Sequence, residues 1–334
     1  MNPTVMFVRL SENCNAGCFM CYFAHQHGLY NITDEQFDSL IQYMNDKGTY
    51  NLIRFTGGEP LLHKNIINYI KKSHDAGYQT SIITNGYLLP NYGQKLVDAG
   101  LDQVIISIDG SKPEIHDKLR GLKGGLERVK KGIEIMREQN PYIMLRANTV
   151  VSPYNIADMV DLHNMLEELH FNSWSIIPIR PTDSPDTLWD PKDIEFYKEK
   201  YNEFLKNIDK HNSVELLGYS KAWAGETNDE ISKTFNNQFR INPTNKCNLV
   251  DYVRFYIPDK DLVVPCNCAA HRINQIEADY SSESDKYKKA DIMAEWLKEN
   301  GKSHCTGCEP LNAYVADNPK ILTKKDFKLS LIHI

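Results

Sequence analysis

Two stretches decide how the chain is read: Val5-Met-Phe-Val-Arg-Leu-Ser-Glu-Asn-Cys14-Asn-Ala-Gly-Cys18-Phe-Met-Cys21 and Leu52-Ile-Arg-Phe-Thr-Gly57-Gly58-Glu59-Pro60. Each is a short apolar run that ends in chemically committed residues, thiols in the first and two glycines with a carboxylate in the second. Residues 5–10 and 52–56 have the length and β-rich composition of buried strands. Residues 80–84, 104–108, 143–151 and 174–179 repeat that pattern. Between them lie helical segments. Thr33-Asp-Glu-Gln36 is a capping box, followed by Phe37, Leu40, Ile41 and Met44 at helical spacing. Residues 65–73, 92–99, 126–139 and 156–169 complete the set. Strand and helix alternate about six times in roughly 180 residues, which predicts a parallel α/β architecture. Periodicity does not choose between an open sheet and an incomplete barrel.

Working outward, composition sets the limits. The chain has 334 residues, 41% hydrophobic and 25% charged, with a formal net charge of -6. That balance excludes wholesale disorder and supports a large core without disulfide staples. The charge gives no reason to expect a nucleic-acid or anionic-membrane partner. No apolar run reaches the roughly 18 residues of a membrane span, and the N-terminus lacks the pattern of a signal peptide. A cytoplasmic, reducing setting is the expectation. Residues 181–191 are rich in Pro, Asp, Ser and Thr and read as a linker, followed by a charged helix over 193–209. From residue 241 the chain is Asn-rich. Strand candidates lie over 252–257 and 261–264, with a helix over 290–299.

The eight cysteines are unevenly placed: Cys14, Cys18 and Cys21 near the start, then Cys247, Cys266, Cys268, Cys305 and Cys308. Clustered thiols in a cytosolic chain bind metal or do redox chemistry more often than they form disulfides. Cys14-x3-Cys18-x2-Cys21 offers three thiolates and no nearby fourth. A 4Fe–4S cluster so held has one open iron; a zinc site completed by His25 or His27 is the rival. The ends of the other strands carry polar groups suited to a ligand: Thr84-Asn85-Gly86, Ser107-Ile108-Asp109-Gly110 and Asn148-Thr149-Val150. Active sites of parallel α/β folds gather at these ends. The glycines of Gly57-Gly58-Glu59-Pro60 would let a ligand approach the backbone. Each motif taken singly reads first as a polar loop or helix cap.

Together, the cysteine triplet after the first strand, Gly-Gly-Glu-Pro after the second, Thr-Asn-Gly after the third and Ser-Ile-Asp-Gly after the fourth resemble the radical S-adenosylmethionine (radical SAM) enzymes. The resemblance covers residues 1 to about 180. It implies a partial (β/α)6 barrel and a 4Fe–4S cluster on Cys14, Cys18 and Cys21, its open iron chelated by S-adenosylmethionine. It implies that Gly57, Gly58, Glu59 and Pro60 hold the methionine amino end, Ser107 and Asp109 the ribose, and Arg120 the carboxylate, with Arg146 as a rival. Tyr22 would lie near the adenine, and Thr84, Asn85 and Asn148 among the cofactor-binding groups.

Cys247, Cys266, Cys305 and Cys308 supply four thiolates, enough for an all-protein-ligated cluster or for zinc. Their arrangement resembles the twitch type of auxiliary-cluster module, with less match to the longer SPASM type. The expected organisation is a radical SAM barrel over residues 1–180, a linker and helix over 181–240 and a small twitch-like domain over 241–334. Two 4Fe–4S clusters, S-adenosylmethionine and a reducing partner such as flavodoxin or ferredoxin are the implied cofactors and partner. Cys268 is left over, as a buried bystander, a replacement ligand for Cys266, or a catalytic thiol that donates hydrogen to a substrate radical. Only about ten residues precede the cysteine loop, which favours a small substrate over a peptide. The opening motif is similar to carbohydrate-modifying members such as the cytosylglucuronate decarboxylase-like group. The leading expectation is dehydrogenation, epimerisation or decarboxylation of a sugar, nucleotide-sugar or aminocyclitol. A peptide-modifying maturase is the alternative, and a zinc-bound scaffold the non-enzymatic one.

Overall fold

A computed structural model of the chain describes residues 4–18, 20–21, 30–178, 194–210, 213–217, 249–266 and 279–304. Among these, the strands form one nine-stranded sheet in the order β7-β6-β5-β4-β3-β2-β1-β8-β9. They are β1 Val5–Arg9, β2 Leu52–Thr56, β3 Gln79–Thr84, β4 Gln103–Ser107, β5 Met144–Val151, β6 Ser173–Pro178, β7 Glu215–Leu217, β8 Val253–Ile257 and β9 Leu262–Val264. All neighbours are parallel except β8 and β9. The strand order does not close on itself, as expected of a partial barrel.

The helices are α1 Asp34–Lys47, α2 Ile66–Asp75, α3 Leu89–Asp98, α4 Pro113–Arg120, α5 Gly125–Gln139, α6 Met159–Glu168, α7 Ile194–Lys210, α8 Leu249–Tyr252 and α9 Lys286–His304. The capping box of α1 is formed as expected. Thr33 Oγ1 accepts from the Gln36 N–H at 3.2 Å, and Gln36 Oε1 from the Thr33 N–H at 3.0 Å. Helix α3 starts three residues earlier than its apolar spacing suggests, because Pro90 suits a first helical turn. The expected helix over 156–169 divides into a 3-10 turn, Ile156–Asp158, and α6. Helix α4 was not anticipated. Its start is set by Pro113 and its end by Gly121, which sits at φ 60.

Strand alternation sorts the side chains onto two faces. Met6, Val8, Ile53, Phe55, Ile82, Val104, Ile106, Leu145, Ala147 and Trp174 pack with helix residues such as Phe37, Leu40, Tyr69 and Val129 in the main core. The opposite face holds a second apolar cluster near the β1–β8 seam, of Val5, Phe7, Leu52 and Val253. Further along it carries buried polar groups as well. Arg54, fully buried, donates to Ser81 Oγ and Gln103 Oε1, both at 3.3 Å.

The C-terminal strands do not build a separate layer. β8 pairs in parallel with β1, Val5 opposite Val253 and Phe7 opposite Phe255, whose rings stack at 4.3 Å. Helix α9 packs onto α1, with Tyr287 stacked on Tyr43 at 3.5 Å. The described residues beyond 241 in β8 and β9 extend the same sheet. The linker over 181–191 lies outside the described residues.

Helices α3 and α5 touch through glycine. A Cβ on Gly132 would overlap the Leu89 side chain, with Leu89 backbone at 3.1 Å. Alanine would gain about 1 kcal/mol of helix propensity, but forcing atoms into a packed interface costs about 1–3 kcal/mol. Packing is expected to win, so Gly132→Ala should lower the urea midpoint. A midpoint at or above wild type would show that the two helices can separate freely.

Candidate active site

The cysteine loop begins where β1 ends and is fastened to the loop after β2. The Leu10 N–H donates to the Thr56 carbonyl at 2.8 Å, the Gly58 N–H to Ser11 O and the Glu59 N–H to Asn13 O, both at 2.7 Å. Gly57 sits at φ 142. A Cβ on Gly57 would strike the Ser11 carbonyl oxygen, and one on Gly58 the Asn13 carbonyl oxygen. On the side where a Cβ would stand, the glycines admit the backbone of the cysteine loop.

Glu59 is 1% exposed. Its Oε1 accepts from the Leu61 N–H at 3.0 Å and the Thr84 hydroxyl at 2.7 Å; its Oε2 accepts from the Asn85 N–H at 2.8 Å. Burial pushes this carboxyl up from its ordinary value, and the three donors pull it back. Glu59 thus joins the Gly-Gly-Glu-Pro loop to the Thr-Asn-Gly turn. Pro60 is buried behind it in a 3-10 turn, Pro60–Leu62. Asn85 extends the connection: its Nδ2 donates to Asn15 Oδ1 at 2.8 Å and lies 3.9 Å from Cys14 Sγ.

Asp109 and Arg120, assigned by resemblance to ribose and carboxylate, face each other. Arg120 Nε lies 2.6 Å from Asp109 Oδ2, and Asp109 is fully buried. Asp109 Oδ1 also accepts from the Val150 N–H at 2.8 Å. Burial would push the Arg120 guanidinium down, but Asp109 and Cys18 beside it outweigh that. Arg120 also reaches the cysteine loop. Its carbonyl accepts from the Gly17 N–H at 3.1 Å and faces Cys18 Sγ at 3.6 Å, while one guanidinium nitrogen lies 3.9 Å from that sulfur. Sequence reasoning missed this contact. Its available signal was Gly17 and Gly121, whose main chains approach too closely for a Cβ on Gly121.

On the polar face of the sheet, Ser107 stands opposite Asn148 and Asn148 opposite Ser175. Arg146 Nε donates to Asn148 Oδ1 at 3.1 Å. Ser107, Asn148 and Ser175 thus form one row across β4, β5 and β6, and Arg146 lies two residues earlier on β5, opposite Ile105 and Ser173. Cys266 follows β9 and is half-buried. Tyr22, Cys247, Cys268, Cys305 and Cys308 lie outside the described residues.

The cysteine loop fits an iron–sulfur cluster. Cys14, Cys18 and Cys21 are not in disulfides. Burial pushes the Cys14 thiol up to about 11, with Glu59, Cys18 and Cys21 adding to the rise. Burial raises Cys18 as well, against the pull of Arg120. Thiols such as Cys14 and Cys18, which resist ionisation alone, ionise readily when a metal supplies positive charge. Among the described residues no three Cys, His, Asp or Glu side chains converge closely enough for a single metal ion. A four-iron cluster instead takes one thiolate at each of three separate irons.

Known proteins agree with this geometry. The family model of the Radical SAM superfamily matches residues 8–166. An AdoMet-dependent heme synthase of Methanosarcina barkeri is 30% identical over 187 residues, 55% of this chain and 53% of its own. A probable GTP 3',8-cyclase of Methanococcus aeolicus is 38% identical over 134 residues, 38% of this chain and 44% of its own. The chain thus spans about half the length of these curated relatives. In fold it is similar to Streptococcus suis SuiB bound to precursor peptide SuiA, with a TM-score of 0.62 and 14% identity, covering 98% of this chain and 69% of that one. Residues 8–166 of the chain are thus a radical SAM domain.

Proposed function

We propose that this enzyme acts on a small, polar, carbohydrate-type molecule: a sugar, nucleotide-sugar or aminocyclitol. The observation that carries the reading is the row of Ser107, Asn148 and Ser175 across one face of the sheet, with Arg146 beside it donating to Asn148. Hydroxyl, amide and guanidinium groups gathered in this way recognise a hydroxyl-rich ligand better than an apolar one. A GTP cyclase among the relatives supports a nucleotide-bearing substrate. Likeness to SuiB speaks for the fold alone, so a peptide substrate is an outcome of the test.

Superfamily membership implies one 4Fe–4S cluster and S-adenosylmethionine. When bound, they supply an electron from the cluster and a 5′-deoxyadenosyl radical that takes a hydrogen atom from the substrate. In this reading Cys14, Cys18 and Cys21 hold the cluster. The loop of Gly57, Gly58, Glu59 and Pro60 holds the amino end of S-adenosylmethionine, with Glu59 setting the loop's shape. Thr84 and Asn85 fix the adjoining turn, Ser107 and Asn148 take hydroxyl groups, and Tyr22 serves the adenine. With Arg120 committed to Asp109, Arg146 becomes the partner for a carboxylate. Cys247, Cys266, Cys305 and Cys308 hold an auxiliary cluster, and Cys268 separates epimerisation, which needs a hydrogen donor, from oxidation and decarboxylation. Flavodoxin or ferredoxin supplies the electron, in the cytoplasm. No helix among the described residues is long and apolar enough to cross a membrane.

Anaerobic incubation of reduced, reconstituted protein with S-adenosylmethionine and candidate sugars, nucleotide-sugars and peptides tests the reading. Mass spectrometry should find 5′-deoxyadenosine in excess with a carbohydrate; excess only with a peptide would overturn the substrate class. Changing Cys14, Cys18 and Cys21 together to Ala should abolish 5′-deoxyadenosine and leave about four irons per chain on the auxiliary thiols. A variant stripped of all iron yet still folded would remove the second cluster. Glu59→Gln should cost about 1–3 kcal/mol of stability, because its amide NH2 would face N–H or O–H donors. Its affinity for S-adenosylmethionine should also fall, as seen by equilibrium dialysis. A variant as stable as wild type would show that Glu59 does not set the loop's shape.

A further inference from the structure

We propose that Arg120 is a positioning residue for the cluster: its guanidinium, anchored by Asp109, lies against the Cys18 thiolate and makes the cluster easier to reduce. The inference rests on the reading of the cysteine loop as the cluster site. Three observations carry it. Arg120 touches Cys18 twice, through its carbonyl at 3.6 Å and a guanidinium nitrogen at 3.9 Å from the sulfur. The 2.6 Å ion pair fixes the guanidinium from its other side, on a carboxylate that is itself fully buried. Helix α4 ends at Arg120, and Gly121 in the left-handed region turns the chain against Gly17 of the loop. Arg120 is thus built into the wall of the loop by main chain and side chain together.

The chemistry follows from charge. One-electron reduction adds negative charge to a cluster and its thiolates, and nearby positive charge and hydrogen-bond donors favour that state. Asn85 offers Cys14 a neutral donor at the same 3.9 Å. Arg120 offers Cys18 a full charge at a site where water is scarce, so its field is weakly screened. Asp109 offsets part of that charge but holds the guanidinium at the sulfur. This use of Arg120 differs from a grip on the carboxylate of S-adenosylmethionine, and the difference is measurable without S-adenosylmethionine.

The test is the midpoint potential of the reconstituted cluster without S-adenosylmethionine, followed by electron paramagnetic resonance in dye-mediated titrations. The triple alanine variant of Cys14, Cys18 and Cys21 identifies the auxiliary signal to be subtracted. In Arg120→Gln the ratio of reduced to oxidised cluster at a fixed potential should fall on the order of tenfold, a shift of about 59 mV for one electron. Arg120→Lys keeps the charge but not the fork that holds Asp109 and Cys18 together, so its ratio should fall by a smaller factor. If Arg120→Gln assembles no cluster, Arg120→Met, neutral and of similar bulk, decides in its place: a fall supports the proposal, and a wild-type value overturns it. Equal falls in both variants would overturn the role of charge. Unchanged potentials with weakened S-adenosylmethionine binding would return Arg120 to the cofactor carboxylate. A wild-type protein with no signal from the loop would overturn the cluster reading itself, and this inference with it.

Discussion

Everything at the mouth of the sheet depends on one constraint: a loop bearing three thiols must be held in shape by backbone that is not its own. The carbonyls of Ser11 and Asn13 accept from Gly58 and Glu59, and the Gly17 N–H donates to Arg120. The loop is a suspended segment with attachments on β2's loop and on the end of α4. Glycine is required where these backbones meet, because a side chain would occupy the space that the hydrogen bonds need. Two buried carboxylates then set the attachments. Glu59 ties the β2 loop to the β3 turn, and Asp109 ties β4 to Arg120. Each is costly to bury and is compensated by donors or by an opposite charge.

Much of this was legible in the sequence. The alternation of β-rich and helical runs gave the parallel sheet, because both patterns are local and strongly periodic. The capping box at Thr33 marked the start of α1. The motifs at strand ends stood out because they recur at successive strand ends, where the active sites of such folds gather. Residue types alone did not reveal the direction of each side chain. Glu59 and Asp109 look like groups for a ligand, yet both are buried and point to neighbouring protein atoms. Their targets, Thr84, Asn85 and Arg120, were all singled out, but for contact with a cofactor. Nothing local tells a carboxylate that meets a ligand from one that braces the residue that does.

The pairing of β8 with β1 was illegible for another reason. The runs over 252–257 and 261–264 read as strands, but which strand they join is a matter of topology. Their composition, beside Asn-rich and cysteine-bearing sequence, suggested a separate unit. In the structure, Phe255 stacks on Phe7 and Tyr287 on Tyr43, so the C-terminal segment shares packing with the first strand and first helix.

That seam has a consequence for how the chain is made on the ribosome. Strand β1, with Val5, Met6, Phe7 and Val8, emerges first, yet one of its two partners lies at Val253–Ile257. Until that segment is synthesised, β1 presents one open, apolar edge, the kind of surface that recruits stray strands. The cysteine loop hangs from the end of this same strand. Nascent chains are therefore open to mispairing where the three-thiol loop begins, and a contact of such high sequence separation slows the completion of the sheet.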